Sequence, residues 1–178
     1  MAQNTNSTFS HLECSKCGIK YSKNELHNLS PCCSLPLFPK YDLEKARSVL
    51  HKSDLKNRES TMWRYQEMMP VDYEENIISL GEGWTPLVNA DRLGELLGFP
   101  NLYLKNESIN PTGSFKDRGM SVAISKAKVF GLNKLAIPTA GNAGGATAAY
   151  TAKAGQEAFI FMPSDTPKAF QVECDQYG

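Results

Sequence analysis

The run Asn110-Pro-Thr-Gly-Ser-Phe-Lys116-Asp-Arg-Gly119 sets a lysine just behind a turn. Pro111 and Gly113 make the turn, Ser114 is a good helix N-cap, and Lys116 follows in the first turn of the helix. The positive end of a helix macrodipole repels an ammonium there, so the residue is badly placed for helix stability. For chemistry it is better placed, because an amine relieved of its proton attacks an aldehyde. A solvated lysine at a helix start is the plainer reading of this loop taken alone.

A second turn, Thr139-Ala-Gly-Asn-Ala-Gly-Gly145, follows an apolar stretch and opens an alanine-rich one. Glycines admit a ligand close to the backbone, and a helix start offers N–H groups to an anion such as a carboxylate or phosphate. Thr139 and Asn142 add side-chain hydrogen bonding at the same place. The turn lacks both the G-x-x-x-x-G-K-[ST] and the G-x-G-x-x-G spacing, which argues against a P-loop or dinucleotide site; tight packing alone would also explain its glycines. Near the start, Cys14-Ser-Lys-Cys17-Gly18 lets two thiolates reach one Zn²⁺ while the glycine admits the tight turn. The next cysteines, Cys32 and Cys33, are adjacent. Adjacent residues rarely both ligate one ion, so one of the two is expected to. Cys174, alone on an expected helix, reads as a packing residue.

These groups need elements to hold them. Residues 1–40 are rich in cysteine and turn formers, residues 41–75 read as a helical linker ended near Pro70, and residues 76–178 alternate strand and helix signals. The spacing predicts a helix over 91–97 closed by Gly98, a strand over 101–105, a helix after Ser114 and a strand over 134–139. A helix over 143–154 closed by Gly155, a strand over 158–162 and a helix over 166–177 follow. Such alternation implies an α/β fold, a parallel sheet with flanking helices, behind a small zinc-ribbon-like module.

At 178 residues, 41% hydrophobic and 21% charged, the chain is long enough to bury a core. A formal net charge of zero and a pI near 6.8 give no electrostatic reason to expect nucleic acid or an anionic membrane as partner. No run reaches the ~18 apolar residues of a spanning helix, and residues 1–10 show no leader pattern, so a cytoplasmic location is expected.

Together the two turns are recognisable. Leu104-Lys-Asn-Glu107 followed by the Lys116 run closely resembles the cofactor-lysine motif of threonine synthases, within the fold-type-II pyridoxal-phosphate (PLP) enzymes. Leu80-Gly-Glu-Gly-Trp-Thr-Pro-Leu87 is similar to that family's Gly-Glu-Gly-x-Thr-Pro-Leu segment. Trp63-Arg-Tyr65 resembles the Trp-Arg-Tyr preceding it, and 139–150 resembles the Ser-Gly-Asn loop with its helix. The resemblance implies that Lys116 binds the cofactor covalently and shuttles protons, that Asn142 bonds the 3-hydroxyl of its ring and that Phe115 flanks the ring. It further implies that Thr139 and the backbone of Gly141, Asn142 and Ala143 receive the substrate carboxylate, with Asp117 and Arg118 supporting the loop. The implied reaction converts O-phosphohomoserine and water to threonine and phosphate, on an amino-acid substrate and in a homodimer. Threonine synthases of bacterial and archaeal type often start with a zinc-ribbon-like segment, whose Cys-Gly-Gly-Pro-Leu end Cys33-Ser-Leu-Pro-Leu37 resembles. Zinc would then be held by Cys14, Cys17 and one of the pair, Cys33 being the matched residue, with His27 a further candidate; a ribbon that has lost its metal is the competing reading.

Two departures stand out. Ala140 replaces the family's serine before Gly-Asn, and nothing in the chain resembles the Gly-rich loop for the cofactor phosphate or the hydroxyl facing the pyridine nitrogen. Other readings therefore stay open: a threonine or serine dehydratase, a β-replacement enzyme, or a short non-catalytic homologue acting as a binding module.

Overall fold

The computed structural model describes residues 4–178; residues 1–3, part of the polar start and of the expected module, lie outside the described residues. The chain divides into two compact units. One takes the residues up to Glu59 with Trp63–Ile77 and Val122–Asn133, and the other takes Ser60–Met62, Ile78–Ser121 and Lys134–Gly178.

In the first unit β1 (Phe9–Cys14) is the centre of a three-stranded antiparallel sheet, between β2 (Lys20–Tyr21) and β3 (Leu37–Tyr41). The Cys14–Gly18 turn joins β1 to β2. Gly18 takes φ 75°, and Cys14 N–H donates to the Ile19 carbonyl at 2.9 Å. Asp42 caps α1 (Leu43–Val49) by accepting from Lys45 N–H at 2.9 Å.

The helical expectation for 41–75 is corrected beyond Val49. The chain there forms 3₁₀ turns at Asp54–Asn57, Met62–Met68 and Glu74–Asn76, and Tyr65 is non-helical inside the second. Long-range bonds override the local periodicity. Thr8 N–H takes the Glu67 carbonyl at 2.8 Å, the Ser7 hydroxyl takes Met69 at 2.6 Å, and Thr5 N–H takes Asp72 at 3.1 Å. Anchored to the N-terminal segment in this way, the backbone follows its partners and not a continuous helix. Arg58 completes the region with a two-pronged ion pair to buried Glu67 at 2.6 and 2.8 Å.

In the second unit β4 (Leu87–Asn89) pairs antiparallel with β5 (Tyr103–Lys105), and α2 (Asp91–Leu97) lies between them in sequence. This corrects the expectation that strand 101–105 belongs to a parallel sheet. Gly98 leaves α2 in the left-handed region, and the Phe99 N–H at once bonds back to Gly94 O at 2.7 Å, so the chain returns beside β4 instead of crossing over. The parallel component among the described residues is β6 (Lys134–Pro138) with β7 (Glu157–Phe161), joined through α4 (Asn142–Ala154). Helix α3 (Lys116–Val129) precedes β6, and α5 (Lys168–Tyr177) packs on α4. Every residue of α4 from Gly144 to Thr151 is buried. A Cβ on Gly144 would stand 2.7–3.1 Å from Met162, Thr139 and Ile160, and one on Gly145 would strike the Glu173 carboxyl group. Close packing therefore accounts for these two glycines.

Candidate functional site

Lys116 is the first residue of α3, and its N–H meets the Ser114 hydroxyl at 3.3 Å, as the cap reading requires. The residues on either side of the turn are clamped. Asp117, fully buried, accepts from Thr112 N–H at 2.7 Å and from the Thr112 hydroxyl. Arg118 grips Glu107 with two parallel bonds, Nε to Oε2 at 2.7 Å and Nη2 to Oε1 at 2.9 Å. Glu107 also accepts from the Thr85 hydroxyl at 2.7 Å and the Asn110 carboxamide at 3.0 Å, and Asn110 Oδ1 in turn receives Gly83 N–H at 3.0 Å. Arg118 beside it holds the Glu107 carboxyl down at about 2. The Lys116 turn is thus tied to the Gly81–Thr85 loop by a network centred on one carboxylate.

That loop has a second anchor. Glu82 is fully buried and accepts from the Tyr150 hydroxyl at 2.7 Å, from Ser79 at 3.1 Å and from Leu80 N–H at 3.0 Å. Burial first, then the Glu82 carboxylate, pushes the Tyr150 hydroxyl well above the ordinary phenol range. Tyr150 sits on α4, so one loop braces both the lysine turn and the helix that Asn142 opens. The helices themselves touch where the Thr147 hydroxyl meets Met120 Sδ at 3.2 Å, one turn in from Lys116 and a little over one turn in from Asn142.

Lys116 Nζ lies 4.5 Å from the Phe115 ring centroid, and Phe115 is 58% exposed. Asn142 is exposed at the head of α4, where the first N–H groups of a helix lack an intrahelical carbonyl one turn back, although Gly144 N–H is taken by the Gly141 carbonyl at 2.9 Å. The Thr139 hydroxyl bonds both the N–H and the carbonyl of Gly141 at 3.2 Å, so it shapes the turn. An amine, an accessible ring beside it, and a carboxamide with open N–H donors suit an aldehyde-bearing, anionic cofactor. An open groove of about 640 Å³ lined by Ile160, Met162, Gln171 and Cys174 involves neither Lys116 nor Asn142.

The sequence profile of the family described as "Pyridoxal-phosphate dependent enzyme" matches residues 78–178. The chain belongs to this family. Pyridoxal phosphate is accordingly its cofactor. The threonine synthase of Methanocaldococcus jannaschii is 40% identical over 150 residues, covering 84% of this chain and 37% of that protein. The threonine synthase of Methanosarcina acetivorans is 41% identical over 155 residues, covering 86% and 37%. The chain thus spans 37% of the length of these two relatives. A solved structure, a pyridoxal 5'-phosphate-dependent aspartate racemase, aligns with 53% of this chain and 30% of its own at 25% identity and a TM-score of 0.49. No helix among the described residues is long and apolar enough to cross a membrane.

Glu107, Asn110, Thr85, Glu82 and Tyr150 were not readable as a network from spacing, because their partners lie up to 68 residues away. The one available signal was a charged Glu107 within a run otherwise read for its lysine. In the first unit, the sulfurs of Cys14, Cys17, Cys32 and Cys33 lie within 4.8 Å of one another. Both adjacent cysteines, Cys32 and Cys33, have their sulfurs in this group, where the sequence leads one of the two to be expected as a ligand. His27 stands outside this sulfur group, its ring packed edge-on against Tyr21 at 5.4 Å.

Proposed function

We propose that the whole protein is a PLP-dependent threonine synthase, turning O-phosphohomoserine and water into threonine and phosphate, and that this chain supplies its cofactor lysine and carboxylate-binding turn. The observation that carries the reading is an identity of 40–41% to two threonine synthases along at least 84% of this chain, running through the Lys116 loop. When bound, the cofactor supplies an electron sink for carbanions at the substrate carbons. Lys116 gives the amine that holds it and carries protons at the α and β carbons. Asn142 directs its carboxamide to the ring hydroxyl, and Phe115 covers one ring face. The N–H groups of Gly141, Asn142 and Ala143, in a turn shaped by Thr139, orient the substrate carboxylate at the positive end of α4. Ala140 brings no hydroxyl to that place. A cytoplasmic location and a homodimer belong to the same reading.

The test is covalent. The chain is mixed with PLP, reduced with borohydride and mapped by mass spectrometry, and the label is expected on Lys116. In the longest polypeptide that carries this sequence, Lys116→Ala should lower threonine formation by at least ~100-fold, the contribution of the proton transfers alone. Label retained in the Lys116→Ala chain removes the assignment. Ammonia and a keto acid from threonine or serine, without phosphate release from O-phosphohomoserine, would replace the synthase by a dehydratase.

A further inference from the structure

We propose that Glu173 belongs to the functional site: its carboxyl, seated against Gly145 in the first turn of α4, sets the charge that an anion meets at the head of that helix. The inference rests on the reading that the 141–143 turn receives the substrate carboxylate, and it adds a residue that no motif singles out.

Helix α5 brings two side chains to α4, three residues apart. A Cβ on Gly141 would stand 3.6–3.8 Å from the Phe170 ring, and the place of a Cβ on Gly145 is filled by the Glu173 carboxyl. Residues three and four apart share a helix face, so Phe170 meets the turn itself and Glu173 meets the same face further in. Gly145 follows Asn142 by three residues, about 4.5 Å along the axis. The carboxyl therefore stands within one turn of the N–H groups that would hold an anion. A helix start carries roughly half a positive charge, which a carboxylate so placed offsets. Ionised, Glu173 opposes an arriving carboxylate; protonated, it leaves the helix end free for one.

Packing alone does not explain the residue. An uncharged side chain would fill the notch beside Gly145 without the cost of a partly buried carboxylate. Its surroundings favour the neutral form: burial first, then the Asp117 charge, push the Glu173 carboxyl up. Asp117 is the residue after Lys116 on α3, so Glu173 touches the helix of one turn and lies in the field of the other. On α5 itself Cys174 is its neighbour, a thiol raised by burial and then by the Glu173 charge. The ionisable groups of α4 are Tyr150, whose hydroxyl is bound to Glu82, and Lys153 in the last turn.

The test uses the longest polypeptide that carries this sequence, loaded with PLP. Glu173→Gln keeps the size and removes the charge. At pH 8 it should lower KM for O-phosphohomoserine, and Kd for threonine, which brings a carboxylate but no phosphate, by about 3–10-fold. Toward pH 5 the two proteins should converge, with kcat little changed throughout, the mark of a positioning role. A second readout needs no cofactor. A folded value above the unfolded one makes stability fall as pH rises through the folded value, and Glu173→Gln should lack that fall. Gly145→Ala should lower the unfolding midpoint of the parent but not of a Glu173→Ala chain, where the space is open. Parallel KM profiles in parent and Glu173→Gln, with Lys116 still labelled by PLP and borohydride, overturn the proposal alone. A parent whose Lys116 takes no label removes the cofactor reading and this inference with it. An unmoved midpoint for Gly145→Ala in the parent removes the contact on which the proposal stands.

Discussion

Between Ser15 and Leu35 one side chain is buried, whereas from Gly144 to Thr151 every one is. The two stretches also use their glycines differently. In the arm, Gly18 at positive φ serves a turn that aims sulfurs; in α4, Gly144 and Gly145 serve contact with Met162, Ile160 and Glu173. A chain too short to enclose apolar side chains can be fixed by converging ligands, and a helix of small residues by close approach of its neighbours. The lysine turn lies between these extremes: only partly buried and not cross-linked, it is fixed by a polar clamp around Glu107.

Zinc at the cysteine group is what the family resemblance implies, and on that reading its removal should separate the two regions most sharply. Structural zinc is worth about 10–16 kcal/mol in isolated finger peptides. A strong chelator is therefore expected to strip amide-exchange protection from β1, β2 and β3 while α4 keeps its slow exchange. Loss of protection in α4 to the same extent would break the contrast and make the chain one cooperative body.

Much of the second unit was legible because its signals are local. Gly98 and Gly155 end α2 and α4 in the left-handed region as their positions implied, α3 begins, and β6, β7 and α5 begin and end, within about two residues of the expected places. What escaped depends on partners far along the chain. The 3₁₀ turns around Met62–Met68 exist because Thr8 and Ser7 claim nearby carbonyls, and the β4–β5 pairing follows from the reversal at Phe99. The cysteine group itself was legible, and what escaped is that both sulfurs of the adjacent pair join it. Adjacent cysteines look divergent if the chain is imagined extended, and only the wound turn ending at Ser34 makes them converge.

A middle-sized effect should come from the clamp. Glu107→Gln removes the charge that Arg118 grips, and hydrogen bonds to charged groups are worth ~1.5–3 kcal/mol each before solvent exposure discounts them. Glu107 is held at about 2, below its unfolded value of roughly 4.3. Its stabilising contribution is therefore complete above the unfolded value and is lost as pH falls through the folded one. Unfolding midpoints of the parent chain should drop between about pH 4 and pH 2 more steeply than those of Glu107→Gln. Parallel acid profiles would mean that the Lys116 turn is held by Asp117 and its cap instead, moving it closer to the tightly packed kind of region.

The smallest effect belongs to the β6–β7 pair, where Lys134 and Glu157 face each other as register partners with Nζ 3.2 Å from Oε2. Both side chains are more than 60% exposed, at 67% and 62%, so water and salt screen the attraction and ordering two long side chains costs entropy. A double-mutant cycle with Lys134→Ala and Glu157→Ala should return a coupling of at most ~0.5 kcal/mol, reduced further in 1 M salt. If this region rests on the buried face of α4, that coupling is dispensable and both single variants keep their unfolding midpoints. A coupling above ~1 kcal/mol, the upper end for exposed pairs, would mean that surface charge and not burial aligns the two strands.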